Sequence, residues 1–285
     1  MRGFRRLLAV LLAAVPVLLA PAFARAATGA NPEAEQHAFQ AYFHQQFPKL
    51  PVAEFANGPY PFDAGMRKQW EDIMQFPPYD FALDAGKRAF GQKFPDGKSY
   101  ADCFAQGGIG IRQTYPYFDT KTGEVVTLDL AINRCRTAHG LKPLKYGTGE
   151  MAAIDAYMSS TSRGKPFAIV IPKDPRAVAA YEDGKRFFYT RRGQLNFACS
   201  SCHVQAAGKR LRGDVLAPAF GILAAFPIYR SKWGSLGTVD RRFTSCMKQV
   251  RAVPLKPESK PFRDLEYFLS YMSNGVPISG PGARP

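Results

Sequence analysis

The chain is poor in metal-binding residues and in acidic groups. Its 285 residues include only five cysteines and four histidines, and 23 acidic side chains stand against 38 lysines and arginines, for a net charge of +15. No second C-x-x-C and no H-x-x-x-H is present, so the chain lacks the usual spacing of a four-ligand zinc site. Beyond the N-terminal segment, no apolar run is long enough to cross a membrane.

That N-terminal segment has the composition of an export signal. Arginines at positions 2, 5 and 6 precede an apolar run from Leu7 to Ala20, and Ala24-Arg25-Ala26 is typical of a cleavage site. The run contains Pro16 and is shorter than the about 18 to 20 residues of a membrane span. We therefore expect residues 1–26 to be a signal peptide that directs the protein to a bacterial periplasm. A retained membrane anchor, and twin-arginine rather than Sec export, are the alternatives.

One short segment concentrates the residues that can bind a cofactor. Residues 197–203, F-A-C-S-S-C-H, contain Cys199, Cys202 and His203. C-x-x-C-H attaches haem c, because the two cysteines form thioethers and the histidine ligates the iron. A thioredoxin-like redox pair or half of a zinc site would also use C-x-x-C, but neither explains the adjacent histidine. We expect the carbonyl that precedes Pro218 to accept a hydrogen bond from the His203 ring.

The sequence also contains a weak internal repeat. Residues 82–90 and 180–188 share an acid, then Gly-Lys-Arg, then Phe; P-L-K and later Tyr-Met-Ser follow both Cys135 and Cys246. Helical apolar spacing recurs in both copies. The pattern predicts a mainly α fold of tandem cytochrome c-like domains, with residues 27–170 as the first domain and 171–285 as the second. The apolar run at 124–128 predicts at most one small β-hairpin.

The first copy lacks its haem sequence. Where the repeat predicts C-x-x-C-H, the chain reads C-F-A-Q-G from Cys103, with neither a second cysteine nor a histidine. We therefore expect one haem c per chain, held by the second domain. In an oxidising compartment Cys103 and Cys135 are expected to form a disulfide, worth about 3 to 4 kcal/mol in the chain-entropy model. Two free, buried thiols are the alternative.

The fifth cysteine, Cys246, has no partner in this scheme, and an unpaired thiol in an exported protein requires a reason. It lies in the range beyond His203 where cytochromes c place the sixth iron ligand. A thioether ligand from Met247 or Met272 would raise the haem potential, as in an electron carrier, whereas a Cys246 thiolate would lower it. Because Met272 repeats Met158 of the haemless copy, both are expected to pack in helices. We favour Cys246 as the ligand.

Four segments together resemble the SoxA family. They are G-Q-L-N-F-A-C-S-S-C-H; R-R-F-T-S-C, with Arg242 four residues before Cys246; C-F-x-x-G-G-x-G-I-R-Q-T-Y-P-Y-F-D; and V-V-T-L-D-L-A-I-N-R-C-R. SoxA proteins are the larger subunits of SoxAX cytochromes, the L-cysteine S-thiosulfotransferases. The resemblance extends over essentially the whole chain after the signal peptide. Many members carry two haems in this subunit, and the degenerate segment at Cys103 is typical of the single-haem type.

The resemblance implies an oxidative conjugation. Thiosulfate is joined to a cysteine of a carrier protein, SoxY of SoxYZ, and electrons leave through the haem to a smaller cytochrome subunit, SoxX, the partner in a heterodimer. In that scheme Cys246 is both axial iron ligand and persulfide intermediate, and Arg242, one helical turn away, binds the anionic substrate. A haem-propionate contact is the alternative role for Arg242. The rival function is a periplasmic electron-transfer cytochrome c without covalent sulfur chemistry; nucleic acid is not an expected partner.

Overall fold

The computed structural model describes residues 30–284, so the predicted signal peptide lies outside the described residues. Its helices are α1 Pro32–Gln46, α2 Ala64–Met74, α3 Asp80–Gly91, α4 Tyr100–Cys103, α5 Leu128–Ala138, α6 Gly149–Ser160, α7 Pro175–Tyr189, α8 Cys199–His203, α9 Val239–Gln249 and α10 Lys260–Met272. Its strands are β1 Tyr117–Asp119, β2 Glu124–Val126, β3 Arg210–Leu211, β4 Asp214–Val215, β5 Ile228–Arg230, β6 Ser235–Gly237 and β7 Gly282–Arg284. No helix in this part of the chain is both long and apolar enough to cross a membrane.

Two sets of elements repeat one arrangement. In the first unit α3 packs on α6, and in the second α7 packs on α10. A small antiparallel hairpin precedes the remaining long helix of each unit, β1–β2 before α5 and β5–β6 before α9. The mainly α, tandem arrangement that the sequence predicts is therefore present.

The glycine of each Gly-Lys-Arg repeat lies where the paired helices cross. A Cβ atom added to Gly86 on α3 would lie 1.9 Å from the Ala153 carbonyl oxygen, and one added to Gly184 on α7 would lie 2.0 Å from that of Asp264. Both distances are far below van der Waals contact, so only glycine lets the helix backbones approach this closely. The repeat visible in the sequence thus records the same helix crossing in both units.

Local capping explains where the main helices begin. The Thr127 hydroxyl accepts a hydrogen bond from the Leu130 N–H at the start of α5. Before α7, the Asp174 side chain accepts from the Arg176 N–H, and Pro175 occupies the first turn, where its missing N–H costs nothing. Met158 and Met272 are both buried within helices, as their repeated positions predict.

The residues that precede α3 pack with the second unit. Helix α1 places Phe39 and Phe43 in the same core cluster as Tyr181 of α7 and Phe268 of α10. The Gln36 amide donates a hydrogen bond to a carbonyl at the end of α10. The predicted domain boundaries place α1 in the first domain, which it precedes in the chain. The aromatic surface that α1 covers belongs to the second unit.

The small hairpin predicted at 124–128 is present as β1–β2, and two further small sheets were not predicted. The described residues form three small sheets: β1–β2, β3–β4, and a three-stranded sheet in the order β6-β5-β7. Strand β5 pairs antiparallel with β6 and parallel with β7, and this register sets Arg230 beside Arg284. Strands of two or three residues are too short to show the alternating pattern by which strands are recognised.

Candidate functional site

A pocket in the second unit has mostly apolar walls. It encloses about 1160 Å³, including the part that is open to solvent. The walls come from α7, α9, α10 and the loop before β5, and include Phe187, Phe188, Phe226, Phe243, Phe262 and Leu265. Concave, largely apolar pockets of this kind are typical of cofactor and small-molecule sites.

Helix α8 brings the three predicted haem-binding side chains to this pocket. Cys199, Cys202 and His203 all line it. They share one face because residues three and four apart on a helix are neighbours. The Ser201 hydroxyl accepts a hydrogen bond from the Ala198 N–H at 3.1 Å and so caps this short helix. The structure therefore assembles the C-x-x-C-H residues at the edge of a space with cofactor dimensions.

The His203 ring is held in one tautomer. Its Nδ1 lies 2.8 Å from the carbonyl oxygen of Ala217, the residue before Pro218, which confirms the predicted contact. Nδ1–H is then the donor, and Nε2 keeps the lone pair that a metal requires. Burial lowers the pKa of His203 to about 4, so the ring is neutral near pH 7. A neutral, oriented imidazole fits an iron ligand.

The two other chemistries of C-x-x-C do not fit this site. Burial raises the pKa of Cys199 to about 11 and also raises that of Cys202, whereas a dithiol redox pair needs a cysteine with a lowered pKa. Among residues 30–284, Cys199, Cys202 and His203 belong to none of the groups of side chains that lie close enough together to share a metal ion. The residues present fit thioether attachment of haem c.

Helix α9 supplies a second set of groups to the same pocket. Arg242, Cys246 and Met247 line it, and Arg242 and Cys246 lie one helical turn apart. Cys246 is half-buried and forms no disulfide, while Met247 is buried in the core. Met272 is buried on α10 and does not line the pocket. Of the three sulfur side chains considered as sixth ligands, Cys246 and Met247 line the pocket and Met272 does not.

Three arginines surround the polar part of the pocket. Arg230 on β5 and Arg284 on β7 join Arg242 in its lining. Arg230 is 4% exposed, and its nearest carboxylate, the exposed Asp214, lies 3.9 Å away. Burial lowers the pKa of Arg230 to about 10 and also lowers that of Arg284. The cluster therefore has an excess of positive charge in a buried part of the pocket, where an unpaired charge is poorly solvated.

The arginine cluster is suited to anions. Nε and Nη1 of Arg230 and Nη1 of Arg242 are buried without a hydrogen-bond partner among the described residues. Buried, unpaired donors of a charged group are costly unless a ligand satisfies them. Haem propionates and the oxygens of an anionic substrate both match planar guanidinium donors. The sequence analysis found Arg242 alone, because the parallel pairing that brings in Arg284 leaves no local signal.

The predicted disulfide lies in the first unit, apart from the pocket. Cys103 at the end of α4 is bonded to Cys135 on α5, with their Cα atoms 5.8 Å apart. Both sulfurs are therefore consumed in a bond that joins the two helices. His139 lies close to them, but its Nδ1 pairs with the Asp96 carboxylate at 2.5 Å.

Two cytochrome c-like units, one with C-x-x-C-H in an apolar pocket opposite a sulfur-bearing helix, define a tandem c-type cytochrome. The family model described as the SoxA/TsdA cytochrome c domain matches residues 85–167 and 183–278. The SoxA subunit of L-cysteine S-thiosulfotransferase from Allochromatium vinosum is 52% identical over 258 residues, 90% of this chain and 92% of that protein. The corresponding subunit from Chlorobaculum tepidum is 46% identical over 252 residues, 88% and 87% of the two chains.

The fold comparison agrees. A chain in the crystal structure of SoxXA from Paracoccus pantotrophus is 28% identical and superimposes with a TM-score of 0.69, over 76% of this chain and 84% of that one. The chain belongs to the SoxA family. This confirms the resemblance found in the sequence and the tandem cytochrome c-like fold, and the cofactor of such domains is haem c.

Proposed function

We propose that the chain is the haem-containing subunit of a periplasmic L-cysteine S-thiosulfotransferase, which joins thiosulfate oxidatively to a cysteine of a SoxYZ-type carrier protein. The observation that carries the proposal is Cys246, an unpaired thiol one helical turn from Arg242 in the pocket lined by C-x-x-C-H. A simple electron carrier has no need of that thiol. The names of the relatives from Allochromatium vinosum and Chlorobaculum tepidum support the same activity.

The cofactor assignment follows from the pocket. Cys199 and Cys202 would hold the haem through thioether bonds, and His203 Nε2 and the Cys246 sulfur would ligate its iron. The chain holds one haem c, because the first unit uses its cysteines in the Cys103–Cys135 disulfide. When bound, the haem accepts and passes on electrons.

The reaction balances as a two-electron oxidation. An S–S bond forms between the outer sulfur of thiosulfate and the carrier cysteine, the S–H bond of that cysteine breaks, and one proton and two electrons leave. Cys246 would carry the covalent intermediate: its sulfur joins the outer sulfur of thiosulfate as a cysteine S-thiosulfonate, with loss of the two electrons, and the carrier thiolate then takes that outer sulfur and releases the Cys246 thiolate. The buried, unpartnered Nη1 of Arg242 donates to the sulfonate oxygens and so orients the anion against Cys246. Arg230 and Arg284 add positive charge that attracts thiosulfate.

The proposal extends to organisation and partners. Residues 1–26 are the signal peptide, 27–170 the haemless domain and 171–285 the haem domain; the two ranges matched by the family model lie on either side of residue 170. The protein pairs with a small SoxX-type cytochrome, which receives the electrons; the similar chain from Paracoccus pantotrophus is part of a SoxXA structure. Removal of four arginines and no acids with the signal lowers the net charge from +15 to +11, which favours anionic partners.

The test compares two neighbouring sulfur side chains. We expect Cys246→Met to keep the fold and the covalent haem, to raise the haem potential, and to abolish thiosulfate-dependent modification of the carrier cysteine, measured by mass spectrometry of the carrier. The matched control, Met247→Leu, should keep both the potential and the modification. The ferric wild-type protein should give a low-spin thiolate EPR spectrum that Cys246→Met loses. If Cys246→Met retains full conjugating activity, the electron-carrier interpretation replaces this proposal.

A further inference from the structure

A second polar cluster lies where the two units meet, outside the haem pocket. Five carboxyl groups are buried there, each no more than 8% exposed: Asp129 on α5, Asp155 on α6, Asp240 on α9, Glu258 in the loop before α10, and Glu266 on α10. Among the described residues two guanidinium groups face them. Arg112 lies 3.8 Å from Glu266, and Arg263 donates a hydrogen bond to the Glu258 carbonyl oxygen. Acidic groups therefore outnumber basic groups in a buried place, and burial raises the pKa of each of the five, because an unpaired charge is costly there.

Three of these carboxyl groups have the spacing of ion ligands. One oxygen from each of Asp129, Asp240 and Glu258 lies within 4.8 Å of the others. That separation is about twice a Ca–O bond length of about 2.4 Å, so one ion could contact all three oxygens. Asp129 belongs to the first unit and the other two residues to the second, and a shared ion would therefore bridge the units.

A neutral side chain points to the same ligand. Thr238 is 2% exposed, and its hydroxyl oxygen is buried without a hydrogen-bond partner, as are Oδ1 of Asp129 and Oε2 of Glu258. Thr238 and Asp129 line one small cavity together with Arg112, Asp155 and Glu266, while Asp240 and Glu258 lie beside it and are not part of its lining. The cavity has a volume of about 10 Å³, which is enough for one water molecule or one small ion.

We propose that Asp129, Asp240, Glu258 and Thr238 bind one Ca²⁺ ion that joins the two cytochrome c-like units. Oxygen donors without sulfur or imidazole select a hard cation. Mg²⁺ demands near-octahedral geometry and usually keeps several waters, whereas Ca²⁺ accepts irregular sets of carboxylate and hydroxyl oxygens. One dication offsets two of the three carboxylate charges, and Arg263, which donates to the Glu258 carbonyl oxygen, also pairs with Glu124 at 3.0 Å.

The duplication explains how the site arose at this interface. Thr127-Leu128-Asp129 and Thr238-Val239-Asp240 occupy the same position in the two units, at the starts of α5 and α9. Glu258 connects these two Thr-x-Asp segments. Its Oε1 accepts a hydrogen bond from the Thr127 hydroxyl at 2.8 Å, and its backbone N–H donates one to Asp240 Oδ2 at 2.9 Å. An ion held here fixes the start of α9, the helix that carries Cys246.

The first test uses the full haem-loaded protein and measures metal content rather than activity. Inductively coupled plasma mass spectrometry should find one calcium per polypeptide in protein purified without chelator. Dialysis against EGTA should lower the melting temperature. CaCl₂ should restore it, with a rise that continues with the logarithm of the free Ca²⁺ concentration, and MgCl₂ at the same concentrations should not. Absence of calcium together with a melting temperature indifferent to CaCl₂ overturns the proposal, and so does stoichiometric magnesium or manganese.

Variants separate a bound ion from carboxyl groups that merely share protons. Asp240→Asn and Thr238→Val should each lose the calcium and the calcium-dependent shift. Asp155→Asn is the matched control, since this buried acid borders the same cavity but is not one of the three clustered ligands, and it should keep both. If Asp240→Asn instead raises the melting temperature of a calcium-free protein, the acids hold protons and the site is not a metal site. These measurements are independent of thiosulfate chemistry.

Discussion

The two units differ most at one pair of equivalent cysteines. Cys135 on α5 and Cys246 on α9 are each the eighth residue of an eleven-residue helix. In the first unit that sulfur is bonded to Cys103, and in the second it is free and lines the pocket with Cys199 and Cys202. The same position in the two units thus holds a disulfide sulfur in one and a free thiol in the other, and only the first has a cysteine on the neighbouring short helix bonded to it.

The two units also differ in the charge of side chains at equivalent positions. The residues equivalent to Arg230 and Arg242 of the second unit are Asp119, the last residue of β1, and Ala131, the fourth residue of α5. Asp119 is used in a turn, where its carboxylate accepts a hydrogen bond from the Lys121 N–H. The first unit therefore lacks counterparts of these two arginines, and we expect anion binding in the second unit.

Removing the cysteines of either unit should give opposite results for the cofactor. Cys199→Ser combined with Cys202→Ser should eliminate covalent haem, because both thioether bonds are lost. The matched pair, Cys103→Ser with Cys135→Ser, should keep one haem per chain. A pyridine haemochrome assay measures both, and two haems in the native polypeptide would contradict the comparison.

The Cys103–Cys135 disulfide of the first unit should stabilise the folded protein. Its cysteines are 32 residues apart, and Cys103→Ser with Cys135→Ser should lower the free energy of unfolding by about 3 to 4 kcal/mol, measured by chemical denaturation. Reductant should destabilise the wild-type protein and leave the double variant unchanged. Recovery of the two cysteines as separate alkylated peptides from unreduced protein would be inconsistent with the bond.

Removing an arginine from the second unit, and adding one at the equivalent position of the first unit, tests the anion site. Arg242→Ala should raise the barrier for kcat/KM by about 1.5 to 3 kcal/mol, the value of one charge-assisted hydrogen bond, with little change in the haem spectrum. Ala131→Arg, the matched change in the first unit, should leave turnover unaffected. A changed haem spectrum with unchanged turnover in Arg242→Ala would instead assign this arginine to a haem propionate.

The helix crossings should respond alike in both units. Gly86→Ala and Gly184→Ala should each lower the free energy of unfolding by about 1 to 3 kcal/mol, because the new methyl group overlaps a backbone carbonyl of the partner helix. Thermal or chemical denaturation of the two variants gives the values. A neutral effect at one glycine would show that the two crossings are not equivalent.

The sequence predicted what depends on short spacing. Cys199, Cys202 and His203 lie within one helical turn, so their meeting needs no tertiary information, and the tandem fold follows from repeated helices. Arg284 could not be placed, because only the pairing of β7 with β5 brings it beside Arg230. Pairings between distant segments leave no local pattern in a single sequence.

Arg241, next to Arg242 on α9, makes contacts that the sequence does not reveal. Its guanidinium lies 4.4 Å from the centre of the Trp233 ring and donates hydrogen bonds to the Ser235 hydroxyl and the Leu236 carbonyl. The fold of the preceding hairpin creates these contacts, and helical periodicity alone cannot reveal them.

The docking of α1 on the second unit limits how the protein can be dissected. An expression fragment that begins at residue 171 would lose Phe39 and Phe43, leaving Tyr181 and Phe220 open to water. Exposed aromatic surface of this kind drives aggregation, so the haem domain taken alone should be poorly soluble. A gene design that fuses residues 30–62 ahead of residue 171 through a flexible linker would restore the missing cover and give a minimal unit for spectroscopy.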